Sequence, residues 1–244
     1  MNRYTFEISY NGKDYFGWQR QPKQNSVQQE IEDALTKVNR NEKISIVGCG
    51  RTDSGVHAKR YILHVDLTEQ VYNENLIAKL NKMLPKDIVV HQIQQVANDF
   101  HARFDAKSRT YRYFIHYKKD AFNTDFSLYF PIQLNVKAMQ EACQYIMGKQ
   151  DFTSLSKLHT DVKTNICEVT AAHWVMTSES EMYFEITANR FLRNMVRATV
   201  GTLIEIGEGK IKPEDFKTIL EQKDRGAAKA SVPAHALFLW DIEY

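Results

Sequence analysis

The chain begins with a strict alternation of apolar and polar positions. Every second side chain from Tyr4 to Tyr10 is apolar, and this period of two predicts a half-buried strand. Ser26 and Gln29 then form a capping-box pattern, which predicts that a helix begins there. Its inward face is predicted from apolar residues at helical spacing, namely Val27, Ile31, Leu35 and Val38.

The pattern before residue 100 continues with three strand-like segments and one more helix. Strands are predicted at 44–48, 61–67 and 88–96. A helix with apolar positions between 76 and 84 separates the last two strands and stops at Pro85. The predicted order is therefore β-α-β-β-α-β.

A similar order is predicted for the second half of the chain. The predicted elements are a strand at 109–117, a helix from Asn135 to Gly148, strands at 166–176 and 181–188, a long helix from about Phe191 to Ile206, a short helix opened by Pro213, and a closing strand LFLWDIEY. Two successive split β-α-β units predict an α+β protein of two ferredoxin-like halves. We place them at residues 1–104 and 105–244, with the connection 99–108 at the boundary.

The composition is that of an ordinary globular protein, and it excludes several other classes of chain. The chain has 244 residues, of which 43% are hydrophobic and 25% charged, with 10 Gly and 5 Pro, so a disordered or fibrous chain is excluded. The three cysteines are odd in number and far apart, which argues against a disulfide framework or zinc ribbon and favours a reducing cytoplasm. We expect no signal peptide and no membrane span, because no apolar segment is long enough.

The distribution of charge is more informative than the total of +2. Residues 101–120 carry a net charge of +4 and are interleaved with aromatics, residues 189–204 carry three arginines and no acid, and residues 205–221 carry −2. Such segregation favours a groove that follows nucleic-acid phosphates, although an ordinary solvated face would give the same pattern. Tyr111 and Tyr113 share one strand face, where they either stack on bases or belong to the core.

The segment GCGRTDSGVHA, residues 48–58, is dense in chemically useful side chains. Asp53 lies at its centre, with Arg51 two residues before it and His57 four residues after it. Asp-Ser-Gly is also a good turn sequence, so a purely structural role is the alternative. The segment is neither a dinucleotide fingerprint nor a P-loop, and no D-x-D or H-x-x-x-H pattern indicates a catalytic metal.

GRTDSGVHA resembles the signature of the tRNA pseudouridine synthase A (TruA) family. Five further segments agree with that family in order and spacing: YNGKDYFGWQRQP, NSVQQEIEDAL, DFHARFDAKSRTYRY, FLRNMVRATVG and AHALFLWDIEY. Two residues depart from the usual pattern, Leu155 where the family has Phe and Ala236 where Gly often stands. Both departures concern packing and the substrate loop, and they do not affect the expected activity.

The resemblance implies a reaction and a fold. The enzyme breaks the N1–C1′ bond of a tRNA uridine, turns the uracil and rejoins it through C5, an isomerisation that requires no nucleotide cofactor and no metal. The two halves are expected to join their sheets into one extended, mostly antiparallel sheet, with helices on one face and the active cleft between the halves. A homodimer and a cytoplasmic location are also implied.

The resemblance also implies roles for individual residues. Asp53 corresponds to the nucleophile, and Arg197 to the arginine that keeps this carboxylate ionised, with snorkelling to solvent as the alternative. Arg51 is expected to replace the flipped base, and Tyr111 to stack on the target base. The apolar lid on the uracil is Leu237, with Leu239 as the alternative.

The remaining expectations concern substrate contacts. Arg20 and Arg103 are assigned to tRNA binding, together with Tyr111 and Leu237, whereas His57 and His101 are expected to be structural or to face phosphate. The predicted function is modification of the anticodon arm at tRNA positions 38 to 40. Two alternatives stay open: an RNA-binding module without catalysis, although the typical RNP strand is missing, and a hydrolytic glycosidase, for which Asp53 lacks an evident acidic partner.

Overall fold

A computed structural model describes residues 1–157 and 164–244 of the chain. The chain divides into two compact units. The first comprises residues 1–107 together with 238–244, and the second comprises residues 108–237. Residues 238–244, which we expected in the second half, therefore group with the first.

The described part of the chain contains strands and helices in a mixed order. The strands are β1 (Asn2–Tyr10), β2 (Val47–Gly48), β3 (His57–Leu67), β4 (Ile88–Gln95), β5 (Ser108–His116), β6 (Leu128–Tyr129), β7 (Gly148–Asp151), β8 (Ile166–Ser178), β9 (Glu181–Ala188) and β10 (Leu237–Glu243). The helices are α1 (Val27–Val38), α2 (Leu76–Met83), α3 (Val136–Ala142), α4 (Met195–Gly207) and α5 (Asp215–Glu221).

The sheet of the first unit has β1 at its centre. β1 pairs antiparallel with β4 on one side and with β3 on the other, where Phe6 lies opposite Leu63. The far edge of β3 is shared by two strands, because β2 pairs with it antiparallel and β10 pairs with it in parallel. The order of strands and helices is the split β-α-β arrangement predicted from the sequence.

Alternation and capping explain the first unit's local structure. Phe6 and Ile8 of β1 are fully buried, as are Ile31 and Leu35 of α1. The hydroxyl oxygen of Ser26 accepts a hydrogen bond from the Gln29 backbone N–H (3.3 Å), so the predicted N-cap is confirmed. β3 begins at His57, four residues before the predicted start.

Contacts of the chain's end explain why it belongs to the first unit. Phe238 and Leu239 pair with His57 and Ala58 of β3. The backbone N–H of Lys107 donates to the carbonyl of Glu243 (2.8 Å), close to the point where the first unit's main segment ends. β10 is therefore tied to its unit near both of its ends.

The second unit contains an antiparallel sheet in the order β5-β9-β8-β7, and β6 pairs with β5 in parallel. The two-residue strand β6 and the short strand β7 were not predicted. Two helix boundaries were wrong. α3 ends at Ala142 and is followed by a 3-10 turn over residues 143–146. α4 begins at Met195, because Asn194 adopts the left-handed conformation (φ 68°) and interrupts the helix there.

The predicted α+β class with mostly antiparallel pairing is confirmed. Within residues 1–157 and 164–244, no helix has the length and apolar character needed to cross a membrane. Each unit has its own core, with Phe6 and Leu80 fully buried in the first and Phe184 and Phe216 in the second.

Candidate active site

Asp53 lies at the start of a tight turn between β2 and β3, in a segment that we call the Asp53 loop (residues 49–56). The backbone N–H of Val56 donates to the Asp53 carbonyl (3.1 Å), and Gly55 takes a positive φ of 77°. Asp-Ser-Gly thus forms the turn that its composition predicts. The side chain of Asp53 is half-buried and that of Arg51 is exposed.

The segment that follows β1 is hydrogen-bonded to the Asp53 loop both before and after Asp53 in the sequence. The carbonyl of Tyr15 accepts hydrogen bonds from the Gly55 N–H (3.3 Å) and from the Ser54 hydroxyl (3.2 Å). On the other side, the Trp18 N–H donates to the Thr52 carbonyl (3.2 Å). The backbone is therefore fixed immediately before and immediately after Asp53.

Gly17 makes this close approach of two backbone segments achievable. Its φ is +89°, in the region that favours glycine, and a Cβ at this position would overlap the carbonyl oxygen of Thr52. The same Cβ would lie 3.1 Å from the backbone carbonyl carbon of Asp53. No other residue type fits here without moving the Asp53 loop.

Three buried aromatic residues, which we call the aromatic cage (Tyr10, Trp18 and Tyr61), lie against the loop. Trp18 stacks on Tyr61 with ring centroids 4.1 Å apart. The hydroxyl of Tyr10 is hydrogen-bonded to that of Thr52 (2.9 Å), and the Tyr61 hydroxyl donates to the carbonyl of Gly50 (2.5 Å). Tyr10 and Tyr61 thus pack against the Asp53 loop and also hold it in position through hydrogen bonds of their hydroxyl groups.

His57 stabilises the same region from the start of β3. It is fully buried, its Nδ1 accepts a hydrogen bond from the Gly12 N–H (3.0 Å), and its ring stacks on Phe238 at 4.6 Å. These contacts agree with the structural role expected for His57.

In the second unit, Tyr111 and Arg197 lie on two different elements. Tyr111 is opposite Ile186 in the pairing of β5 with β9, and its half-buried ring meets Phe191 edge to face at 5.0 Å. Arg197 is on α4, whose other residues are all buried except Glu205. The Arg197 Nε donates to the carbonyl of Val232 (2.7 Å). That bond argues against a side chain that only extends into solvent.

The apolar candidates and the two arginines assigned to tRNA binding differ in their surroundings. Leu237 and Leu239 are both buried. The guanidinium of Arg20 contacts the carboxylates of Glu32 and Asp33 of α1 (3.1 Å each), and the hydrogen bond with Glu32 raises the Arg20 pKa. Arg103 is exposed, in the connection after β4.

The structure thus brings some of the predicted residues together. Asp53 and Arg51 share one rigid loop of the first unit, whereas Tyr111, Arg197 and Leu237 belong to the second unit, so the predicted Asp53–Arg197 pair stays a prediction. Sequence reasoning missed the aromatic cage and Gly17. The density of aromatics and glycine in YNGKDYFGW is the signal that could have indicated them. Among the described residues, no three or more His, Cys, Asp or Glu side chains cluster in a way that could hold a metal ion.

Comparison with known proteins decides the family. A family model described as tRNA pseudouridine synthase matches residues 8–105 and 142–244. The chain is 50% identical to tRNA pseudouridine synthase A of Parabacteroides distasonis, over 100% of this chain and 96% of that protein. The chain belongs to the tRNA pseudouridine synthase A family. The predicted membership is confirmed, and the enzyme is an isomerase.

Further relatives agree along the full length. Identity is 47% with tRNA pseudouridine synthase A of Porphyromonas gingivalis, over 100% of this chain and 98% of that protein. It is 40% with the Bacillus subtilis protein of the same name, over 97% of both chains. Among solved structures, a Cbf5-Nop10-Gar1 complex aligns with 82% of this chain and 54% of the other, at 12% identity and a TM-score of 0.34.

Proposed function

We propose that this synthase converts uridine to pseudouridine in the anticodon arm of tRNA, at positions 38 to 40, with Asp53 as the nucleophile. The observation that carries the proposal is the fixed geometry of the Asp53 loop. Its backbone is bonded on both sides of the carboxylate, through Trp18 and Gly55. A half-buried carboxylate at a fixed position suits covalent catalysis, in which the geometry of attack must be held closely.

The chemistry needs little beyond this carboxylate. The N1–C1′ bond of the uridine breaks, the uracil turns, and a C5–C1′ bond forms. The hydrogen on C5 leaves as a proton and N1 gains one, so the reaction is balanced without a redox partner. Asp53 attacks and later leaves, which divides one difficult step into two easier ones.

Access to the uridine requires base flipping, since a stacked base in a stem cannot be reached. Arg51 is exposed on the Asp53 loop, two residues from the nucleophile, which supports its proposed role in replacing the flipped base. We carry over the other roles from the family: Arg197 keeps Asp53 ionised, Tyr111 stacks on the target base, Leu237 covers the uracil, and Arg20 and Arg103 contact tRNA. The dimeric state and the cytoplasmic location belong to the same proposal.

Release of tritium from C5 tests the nucleophile directly. A tRNA labelled at C5 of its uridines is incubated with the wild type, Asp53→Asn and Glu69→Gln, the last being an exposed carboxylate of the same unit. We expect release by the wild type and Glu69→Gln and a loss of at least about 1000-fold in Asp53→Asn, as for other covalent catalysts that lose their nucleophile.

The other outcomes separate the alternatives. Release by Asp53→Asn at the wild-type rate would reduce Asp53 to a turn residue. Binding of tRNA without release by any variant would indicate an RNA-binding module, and free uracil in solution would indicate a glycosidase. Mapping of the modified position in the product then tests the choice of positions 38 to 40.

A further inference from the structure

Phe104 is a large aromatic residue whose side chain is exposed to solvent. Its side chain belongs to the segment between β4 and β5 that we call the Phe104 loop (residues 99–106), and the residue is 73% exposed. Single exposed apolar residues are common, so exposure alone indicates nothing. What distinguishes Phe104 is how firmly its surroundings hold it.

One face of the Phe104 ring stacks on His101, with centroids 4.2 Å apart and an angle of 29° between the planes. The Nδ1 atom of His101 accepts hydrogen bonds from the backbone N–H groups of Arg103 (3.2 Å) and Phe104 (3.3 Å). The backbone N–H of His101 donates to the carboxylate of Asp105 (2.7 Å). The loop thus closes on His101, which fixes the aromatic ring above it.

The loop is also anchored to the body of the first unit. The buried residue Ala102 donates its N–H to Nδ1 of His64 (3.0 Å), and its carbonyl accepts from the Tyr244 hydroxyl (2.7 Å). The ring of His101 meets His64 edge to face at 4.9 Å. Ala102 is thus the buried residue that anchors the loop, whereas the larger side chain of Phe104 is exposed to solvent.

The guanidinium of Arg103 lies over the Phe104 ring. Its central carbon is 5.8 Å from the ring centroid, within the range of a cation–π contact. A rigid aromatic face next to an arginine matches an unpaired nucleotide, which offers a flat base and a phosphate. The substrate of the family is a tRNA, and the substrate can therefore supply such a nucleotide.

We propose that Phe104, backed by His101, is a stacking platform for an unpaired nucleobase of the substrate tRNA, and that Arg103 contacts the phosphate beside it. The inference rests on tRNA as the substrate and does not depend on Asp53 as the nucleophile. Stacking of this kind accepts any of the four bases, because each has a π face. The platform therefore contributes affinity and position, and it does not read the sequence.

Dissociation constants test the proposal at one fixed salt concentration, since phosphate contacts make RNA binding salt-dependent. The proteins are the wild type, Phe104→Ala, Phe104→Trp and the control Phe122→Ala, which removes a ring that is 91% exposed in the other unit. The RNAs are a tRNA transcript and a fully paired duplex. We expect Phe104→Ala to weaken tRNA binding by about 5-fold to 100-fold, whereas Phe104→Trp and Phe122→Ala bind like the wild type.

The duplex distinguishes base stacking from a backbone contact. Because a fully paired duplex offers few unstacked bases, its affinity should change by less than about 2-fold in Phe104→Ala. Equal weakening with both RNAs would overturn the platform, as would a Phe104→Ala affinity equal to that of Phe122→Ala. A change in the sedimentation of Phe104→Ala would also overturn it, because the ring would then contact a second copy of the chain.

Tritium release separates this proposal from the proposed nucleophile. In Phe104→Ala the KM for tRNA should rise while kcat stays within about 3-fold of the wild type. A wild type that binds tRNA and releases no tritium would contradict the proposed function and leave the binding comparison valid. Circular dichroism and thermal unfolding confirm that each variant is folded.

Discussion

Two loops of the first unit each lie beside a buried histidine of β3, but they differ in how far other groups enclose them. His57 accepts a hydrogen bond from the Gly12 N–H, in the segment that packs against the Asp53 loop, and His64 accepts one from the Ala102 N–H, within the Phe104 loop itself. Both distances are 3.0 Å and both histidines are buried. Each histidine therefore joins β3 to a backbone segment that comes from elsewhere in the sequence.

Apart from these two histidine bonds, the surroundings of the loops differ. The Asp53 loop is enclosed by a second backbone segment and by the aromatic cage, with Thr52 buried directly before the carboxylate. The Phe104 loop is tied mainly by its own polar groups and leaves its ring exposed. A nucleophile needs its position fixed closely, whereas a stacking surface needs one open face. Enclosure in one loop and exposure in the other fit these two demands.

Gly17→Ala is expected to have the largest effect, because it acts on the enclosure of the Asp53 loop. The new Cβ must push the Thr52 carbonyl away, and the positive φ adds strain of about 1–2 kcal/mol. We expect a total loss of at least about 3 kcal/mol of unfolding free energy and a fall of about 100-fold in kcat, since small displacements of reacting groups have effects of this size. Denaturant unfolding and tritium release measure the two quantities.

Gly209→Ala is the matched control for Gly17→Ala. Gly209 also has a positive φ, of 74°, but nothing lies within 4 Å of the position where its Cβ would be. The Gly209→Ala variant should lose only the unfolding free energy that the positive φ costs, and its kcat should equal that of the wild type. If both variants lost the same stability and the same activity, the close approach at Thr52 would have no special importance.

A smaller effect concerns pH and the Phe104 loop. Burial, followed by the nearby charges of Arg3 and His101, lowers the pKa of His64 to about 4 from its ordinary 6.5. The unfolded chain therefore takes up a proton at a higher pH than the folded one. The contribution of His64 to the free energy of unfolding should be fully present above pH 6.5 and should fall by about 3 kcal/mol as the pH is lowered to 4.

His64→Gln tests this pH dependence, because glutamine keeps an acceptor and does not titrate. Urea unfolding between pH 4 and pH 7 should give a flatter profile for the variant than for the wild type. Parallel profiles would mean that other groups cause the acid sensitivity.

The smallest effect is expected from removal of one hydroxyl. Tyr10→Phe deletes the hydrogen bond to Thr52 inside the aromatic cage and should cost about 1 kcal/mol, with a several-fold lower kcat. A double-mutant cycle with Thr52→Val isolates that bond. We expect a coupling of about 1 kcal/mol between the two positions, and strictly additive losses would show that the two hydroxyls do not act together.

Local patterns predicted much of the fold because they express local physics. The alternation from Tyr4 to Tyr10 and the Ser26 cap each depend on a few neighbouring residues, and both are present in the structure. β2 and β6 have two residues each and β7 (GKQD) has no apolar side chain, so no alternation marks them, and none of the three was predicted with correct bounds. The start of α4 was missed because Asn194 departs from helical geometry in a way that hydrophobic periodicity does not register.

The candidate site was predicted unevenly for the same reason. Asp53 and Arg51 stand in one contiguous motif, so the family resemblance found them. The aromatic cage combines side chains from the end of β1, the following segment and β3, and its existence depends on their contacts in space. The stack of Phe104 on His101 is local, but no period or motif indicates which way a loop ring faces.

The place of residues 238–244 in the first unit has a consequence for biosynthesis. A ribosome makes the 130 residues from 108 to 237 before it reaches Phe238, which takes on the order of 10 s. During that interval His57 has no Phe238 ring to stack on, and β3 lacks its parallel neighbour. The nascent first unit therefore remains incomplete until residues 238–244 have been translated.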